Sequence, residues 1–171
     1  MDRKVTTLGR ILLILLFTYF AFELLTTPAH WIFLDNANLF IHEGGHLVFM
    51  LFGQFIYILG GSFMQIALPC AFFVYFLRKK NYFSTSTVLF WIADNIINVS
   101  VYMKDAQLMQ LPLLGGESSI HDWNWLFSHM GLLQYSNFIG GTFFFIGTLG
   151  LILGIIGMTI FTAYDFLKSQ P

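Results

Sequence analysis

The residues best suited to chemistry are His42, Glu43 and His46, in the run His-Glu-Gly-Gly-His. Two histidines four positions apart on a helix lie on one face, one turn apart, so both imidazoles can bind the same metal ion. Glu43 is rotated by about 100° from His42 and can reach a water on that metal. Zinc lowers the pKa of such a water to about 7, and the glutamate can take its proton and pass it to a leaving amine. The motif therefore predicts a zinc site for hydrolysis, with Glu43 as the general base.

A catalytic zinc needs a third protein ligand, for which the later sequence offers candidates. Asp94, Asn98 and Asp105 are spaced i, i+4 and i+11, so they lie within about 40° of one another on a helix and form one polar stripe facing inward. His121 is another candidate. Its neighbour Asp122 can instead orient an imidazole from outside the ligand set.

Composition places these groups in a membrane. Apolar residue types make up 57% of the 171 residues, charged types only 10%, and the mean hydropathy is +0.72. Several apolar runs are near or above the roughly 17 to 20 residues that cross a bilayer, which predicts an integral, multi-pass membrane protein in contact with lipid. This composition excludes a soluble enzyme, a secreted disulfide scaffold and a disordered chain. A net charge of −1 argues against nucleic acid as a partner, and a single cysteine excludes a cysteine-based metal site.

The elements that must position the candidate residues are helices. We expect an all-α fold of four to five transmembrane helices in a single membrane-embedded domain, residues 1–171. Asp35 or Asn36 should cap a helix that begins near Asn38 and carries the histidines. Other helices are expected over about 8–25, 85–103 and 139–167. Residues 104–137 form a larger loop with a short interfacial helix that begins near Ser119.

Residues 62–77 are an apolar run of ambiguous topology, and they decide which candidate lies beside His42. If they cross the bilayer, Asp94 lies at nearly the depth of His42. If they form a re-entrant segment, Asp105 and His121 come to the side of His42. Five spans divide the eight Lys and Arg residues four against four, whereas the re-entrant arrangement leaves all but Lys104 on one side. This count favours the re-entrant arrangement, with Asp105 as the ligand and His121 as an alternative or additional one.

The last predicted helix has a smooth face of small residues. Its glycines at spacings of 3, 4 and 3 let another helix approach closely, which predicts helix–helix association through Gly147, Gly150, Gly154 and Gly157.

The His-Glu-x-x-His motif in a membrane helix resembles that of the site-2 protease type of intramembrane zinc metalloprotease. The resemblance covers about residues 36–50. It implies a few-helix membrane core, Zn²⁺ held by His42, His46 and an aspartate from a later helix, and cleavage of a membrane-protein or peptide substrate in or near its membrane segment. The family's second motif, an Asn and Pro stretch before Leu-Asp-Gly, has only Asn98 and Asp105 as counterparts here. The alternative is a non-enzymatic metal-binding membrane protein, either a transporter or an inactive protease relative.

Overall fold

The computed structural model describes residues 3–112 and 120–168. These residues form α-helices joined by short connectors and two turns of 3-10 helix, with no strand among them, so the all-α prediction is confirmed for this part of the chain. The helices are α1 (Arg3–Thr26), α2 (Phe33–Phe49), α3 (Gln54–Arg78), α4 (Tyr82–Asp105), α5 (Asp122–Met130) and α6 (Ser136–Lys168).

Three segments of the described chain are long and apolar enough to cross a membrane: Val5–Thr26, Gln54–Arg78 and Leu133–Lys168. They correspond to α1, α3 and α6, and the predicted four to five spans are not confirmed. At 17 residues, α2 extends only about 25 Å. Helix α4 has 24 residues, but Asp94, Asn95 and Asn98 make it more polar, and most of its surface is covered by other helices.

Residues 62–77 belong to one unbroken helix, α3, so the prediction of a re-entrant segment is wrong. The chain reverses earlier, at Gly53, whose φ of 87° is a conformation that glycine adopts without a steric penalty. All 25 residues of α3 therefore follow the turn as one continuous helix. Pro69 lies inside the helix and removes one backbone donor without ending it.

Helix α2 begins at Phe33, earlier than predicted. Asp35 does not precede the helix but lies in its first turn, where a carboxylate oxygen accepts from the backbone N–H of Ile32 at 2.7 Å. Asn36 also lies within the helix. The earlier start moves the histidines toward the other end of α2, and His46 lies in its last turn.

Helix α4 is the centre of the fold and packs against α6 along its whole length. A Cβ on Gly147 would lie 2.6 Å from a side-chain carbon of Ile97, and one on Gly154 would lie 3.0 Å from the backbone nitrogen of Phe90. Gly150 and Gly157 face Ala93 and Ser86 in the same way. The glycine face of α6 thus contacts a helix of the same chain. The two helices are antiparallel, since the contacts move backward along α4 as they advance along α6.

The short helix α5 packs into the protein through one face. Trp123, Leu126 and Phe127 are buried in a cluster with Ile58 of α3 and Val99 of α4. The helix begins at Asp122, and the predicted start near Ser119 lies outside the described residues.

The glycine contact can be tested by comparing Gly147→Leu with Gly141→Leu. The first variant forces a side chain into α4, so we expect a loss of about 1–3 kcal/mol in the free energy of unfolding. Gly141 has no atom within 4 Å of the added Cβ, so its variant should stay within about 0.5 kcal/mol of wild type. Unfolding of the purified proteins in detergent micelles measures both, and equal losses would contradict the packing.

Candidate metal centre

Three side chains from two distant helices meet in the interior. The Nε2 atom of His42 lies 2.9 Å from Oδ2 of Asp122, and Nε2 of His46 lies 3.3 Å from the same oxygen. The side chains of His42, His46 and Asp122 expose only 10%, 12% and 9% of their surface, so water screens them weakly. One ligand atom from each lies within 4.8 Å of the other two, and in the described chain this is the group spaced to hold a metal ion.

Asp122 thus lies where a third metal ligand would be, a position for which Asp105, His121 and Asp94 were predicted. Asp105 and His121 instead pair with each other, with Nε2 of His121 3.3 Å from a carboxylate oxygen of Asp105. Asp94 is fully buried and accepts from the side-chain amide of Asn38 at 2.8 Å. These three residues do not belong to the group around His42 and His46.

The different third residue follows from the position of the histidines in α2. Because α2 and α3 are joined by a tight turn, His46 lies next to Tyr57, near the start of α3. The end of α4 lies at this same end of the fold, as Met103 and Ile58 share a cluster. The chain that leaves α4 returns with Asp122 as the first residue of α5, which brings this carboxylate to the histidines.

The second nitrogen of each imidazole has an acceptor of its own. Nδ1 of His46 lies 2.9 Å from the carbonyl oxygen of Tyr57, which can only accept, so Nδ1 carries the proton. Nδ1 of His42 lies 3.1 Å from Oε1 of Gln65. With both Nδ1 atoms donating, both Nε2 lone pairs point at an anionic oxygen, an arrangement that requires a proton or a cation between them. The donor set of two imidazole nitrogens and one carboxylate fits a zinc ion.

A chain of side-chain amides, buried at Gln65 and half-buried at Asn98, fixes the His42 ring. Gln65 donates from Nε2 to Oδ1 of Asn98 at 2.8 Å, and Asn98 donates to a carboxylate oxygen of Asp35 at 3.1 Å. Gln65 is 2% exposed, so it depends on these partners for its hydrogen bonds. Asn98 was predicted as part of an inward stripe and as an alternative ligand or a residue that supports one, and it bonds Gln65. The role of Gln65 was not predicted, although an isolated amide in an apolar run was a signal for it.

The Asp122 carboxylate stays ionised in this setting. Burial by itself would raise the pKa of Asp122, but when the two imidazoles are protonated their hydrogen bonds to the carboxylate outweigh burial and hold the pKa below its usual range. The backbone N–H of Asp122 donates to the hydroxyl oxygen of Tyr102 at 3.0 Å, which ties this residue to α4. An ionised oxygen facing two nitrogen lone pairs is suited to bind a cation.

Gly61 of α3 has no side chain, and this keeps open the space beside the Nε2 atoms of His42 and His46. A Cβ built at this position would lie 2.6 Å from Nε2 of His42 and 2.7 Å from Nε2 of His46. Both distances are too short for non-bonded atoms, and the atoms that would have to move are those that face the cation position. The absence of a side chain at Gly61 is therefore part of the centre.

A cavity of about 510 Å³ opens onto the centre. Glu43 lines it and is exposed, whereas His42 is buried and His46 is half-buried. The connector between α1 and α2 forms part of the wall through Pro28 and Trp31, and Leu24 and Leu39 add apolar surface. The cavity thus combines an apolar wall with a carboxylate and a candidate metal position.

A comparison with protein-family models found no match, and neither did comparisons with curated proteins and with solved structures. The class of protein therefore has to be inferred from the geometry of the site.

We expect Gly61→Ala to weaken zinc binding by about 10–100-fold, because the new methyl group displaces both imidazoles. Gly44→Ala is the matched control, since a Cβ at Gly44 meets no atom within 4 Å. Competition with a chromogenic chelator on the purified proteins measures both affinities. Unchanged affinity in Gly61→Ala would show that the cation does not lie between these two nitrogens.

Proposed function

We propose that this protein is an integral, multi-pass membrane zinc metallopeptidase of site-2 protease type. It hydrolyses a peptide bond in or near the membrane segment of a substrate protein. One observation carries this proposal: His42, His46 and Asp122 converge within 4.8 Å on the cavity that Glu43 lines.

The zinc would be held by Nε2 of His42, Nε2 of His46 and the carboxylate of Asp122. Three protein ligands of nitrogen and oxygen are typical of catalytic rather than structural zinc sites. When bound, zinc supplies a Lewis acid that polarises a carbonyl and makes a water acidic near neutral pH.

Glu43 is the residue that moves the proton. It follows His42 directly in α2, lines the cavity and is exposed, so a water in the cavity can reach it. As general base it accepts a proton from the attacking water, and as general acid it delivers that proton to the amine that leaves. Its side chain is exposed, so the carboxylate is hydrated until substrate enters.

The cavity limits how the substrate binds. Its volume of about 510 Å³ accommodates only a short length of chain, so the rest of the substrate must lie outside it. The apolar wall formed by Leu24, Trp31 and Leu39 favours apolar side chains. The outward apolar faces of α1, α3 and α6 are suited to contact lipid, which supports the proposal that the substrate is a membrane protein.

A second candidate function, metal transport without hydrolysis, is favoured by the buried and half-buried polar residues behind His42. Gln65, Asn98 and Asp35 extend from the centre, and the nearby Asp94 has one carboxylate oxygen without a hydrogen-bond partner among the described residues. A cation pathway needs such oxygens inside a membrane. Transport would require the metal to leave the histidines, whereas hydrolysis requires it to stay.

We expect Glu43→Gln to lower the cleavage rate by about 10²–10⁴-fold while one zinc per chain is retained, because only the base is removed. The measurement uses proteoliposomes and a reporter peptide with one apolar membrane segment between a fluorophore and a quencher. Glu23→Gln is the matched control, as Glu23 does not line the cavity.

Full cleavage by Glu43→Gln would rule out the base assignment. A wild-type protein that holds zinc, cleaves nothing and releases zinc into the vesicle interior would favour transport.

A further inference from the structure

We propose that Asp105 and His121 are positioning residues, which hold Asp122 in the metal centre rather than bind the metal themselves. The inference rests on the proposed metal site but not on peptide hydrolysis.

His121 is held in one orientation by bonds at both ring nitrogens. Nδ1 accepts from the backbone N–H of Asn124 at 3.1 Å and so caps α5. With its lone pair used in the cap, Nδ1 carries no proton, and the proton of the neutral ring lies on Nε2. Nε2 donates to Oδ2 of Asp105 at 3.3 Å. Since His121 is only 4% exposed, water does not replace these partners.

Asp105 anchors the other side of this contact. It is the last residue of α4, and its two carboxylate oxygens accept from the backbone N–H groups of Gln110 and Leu111, each at 2.9 Å. The carboxylate of Asp105 thus binds both the backbone that follows α4 and the imidazole of His121, which caps α5. Both of its oxygens are engaged in this contact.

Asp122 follows His121 directly, so the position of His121 sets that of the metal-binding carboxylate. The backbone N–H of Asp122 is held by the bond that it donates to the Tyr102 hydroxyl. Elsewhere α5 is held independently, because Trp123 donates to Ser62 at 3.1 Å and Phe127 is buried. Loss of the Asp105 contact should therefore release the first turn of α5 without undocking the helix.

His121→Asn tests this role. Asparagine caps a helix as well as the histidine does but is too short to reach Asp105. His129→Asn is the control, because His129 lies exposed on the same helix, where its ring bonds the carbonyl of Trp125 and stacks on the indole of that residue. Both variants are made in full-length protein carrying Glu43→Gln, so that proteolysis does not enter the measurement.

We expect His121→Asn to weaken zinc binding by about 10–100-fold in chelator competition. The visible bands of the Co²⁺-loaded protein should also shift, because the carboxylate leaves its place in the ligand set. Asp105→Asn should give the same result, and His129→Asn should match the parent protein.

A combined variant separates positioning from general stability. If His121 acts through Asp122, then His121→Asn should cause no further loss of zinc affinity in a chain that already carries Asp122→Asn. Additive losses, or an unchanged Co²⁺ spectrum in His121→Asn, would overturn the inference. Zinc binding without cleavage in the wild-type protein would refute hydrolysis and leave this role intact, whereas a wild-type protein that binds no zinc would refute both.

Discussion

The contact between the backbones of α2 and α3 is the constraint on which the rest of the site depends. At Gly45 and Gly60 the two helices approach so closely that a Cβ on either residue would overlap the other helix. Only at this separation can the imidazoles of α2 reach their partners on α3. Tyr57 and Gln65 lie on either side of the contact, and each accepts from one histidine. Without a hydrophobic driving force between helices in lipid, such packing of small residues is what holds them together.

The buried polar groups impose the second constraint. An ionisable side chain in an apolar interior is costly unless each of its polar atoms has a partner. Asp35 meets this requirement with the backbone of Ile32 and with Asn98, and Asp122 meets it with two histidines. Most of these partners come from a different helix. The same bonds that make the polar groups tolerable therefore also specify how the helices are arranged.

Much of the helical architecture was predictable because a long apolar run by itself indicates a helix that can cross a membrane. The pair of histidines and Glu43 was equally visible, since a spacing of four on a helix is a local property. Asp122 was predicted to orient an imidazole but not to be a ligand, because it lies 80 residues from His42 and its approach depends on where α2 begins and how the chain returns after α4. Gly61 could not be told from its neighbour Gly60 in sequence, although one contacts a helix and the other faces two imidazoles. The re-entrant arrangement of residues 62–77 was favoured from a count of basic residues, which carries no information on the turn at Gly53 or on the unbroken helix that follows it.

The separation of the ligands along the chain has a consequence for the lifetime of the protein. Two ligands lie on α2 and the third lies on α5, so the complete site exists only when these helices are docked. A zinc ion held there would bind the folded state and not the unfolded one. Such binding stabilises by about 2.7 kcal/mol when free metal is a hundredfold above its dissociation constant. The cell's supply of zinc would then govern how much folded protein accumulates in the membrane, as well as how much of it is active.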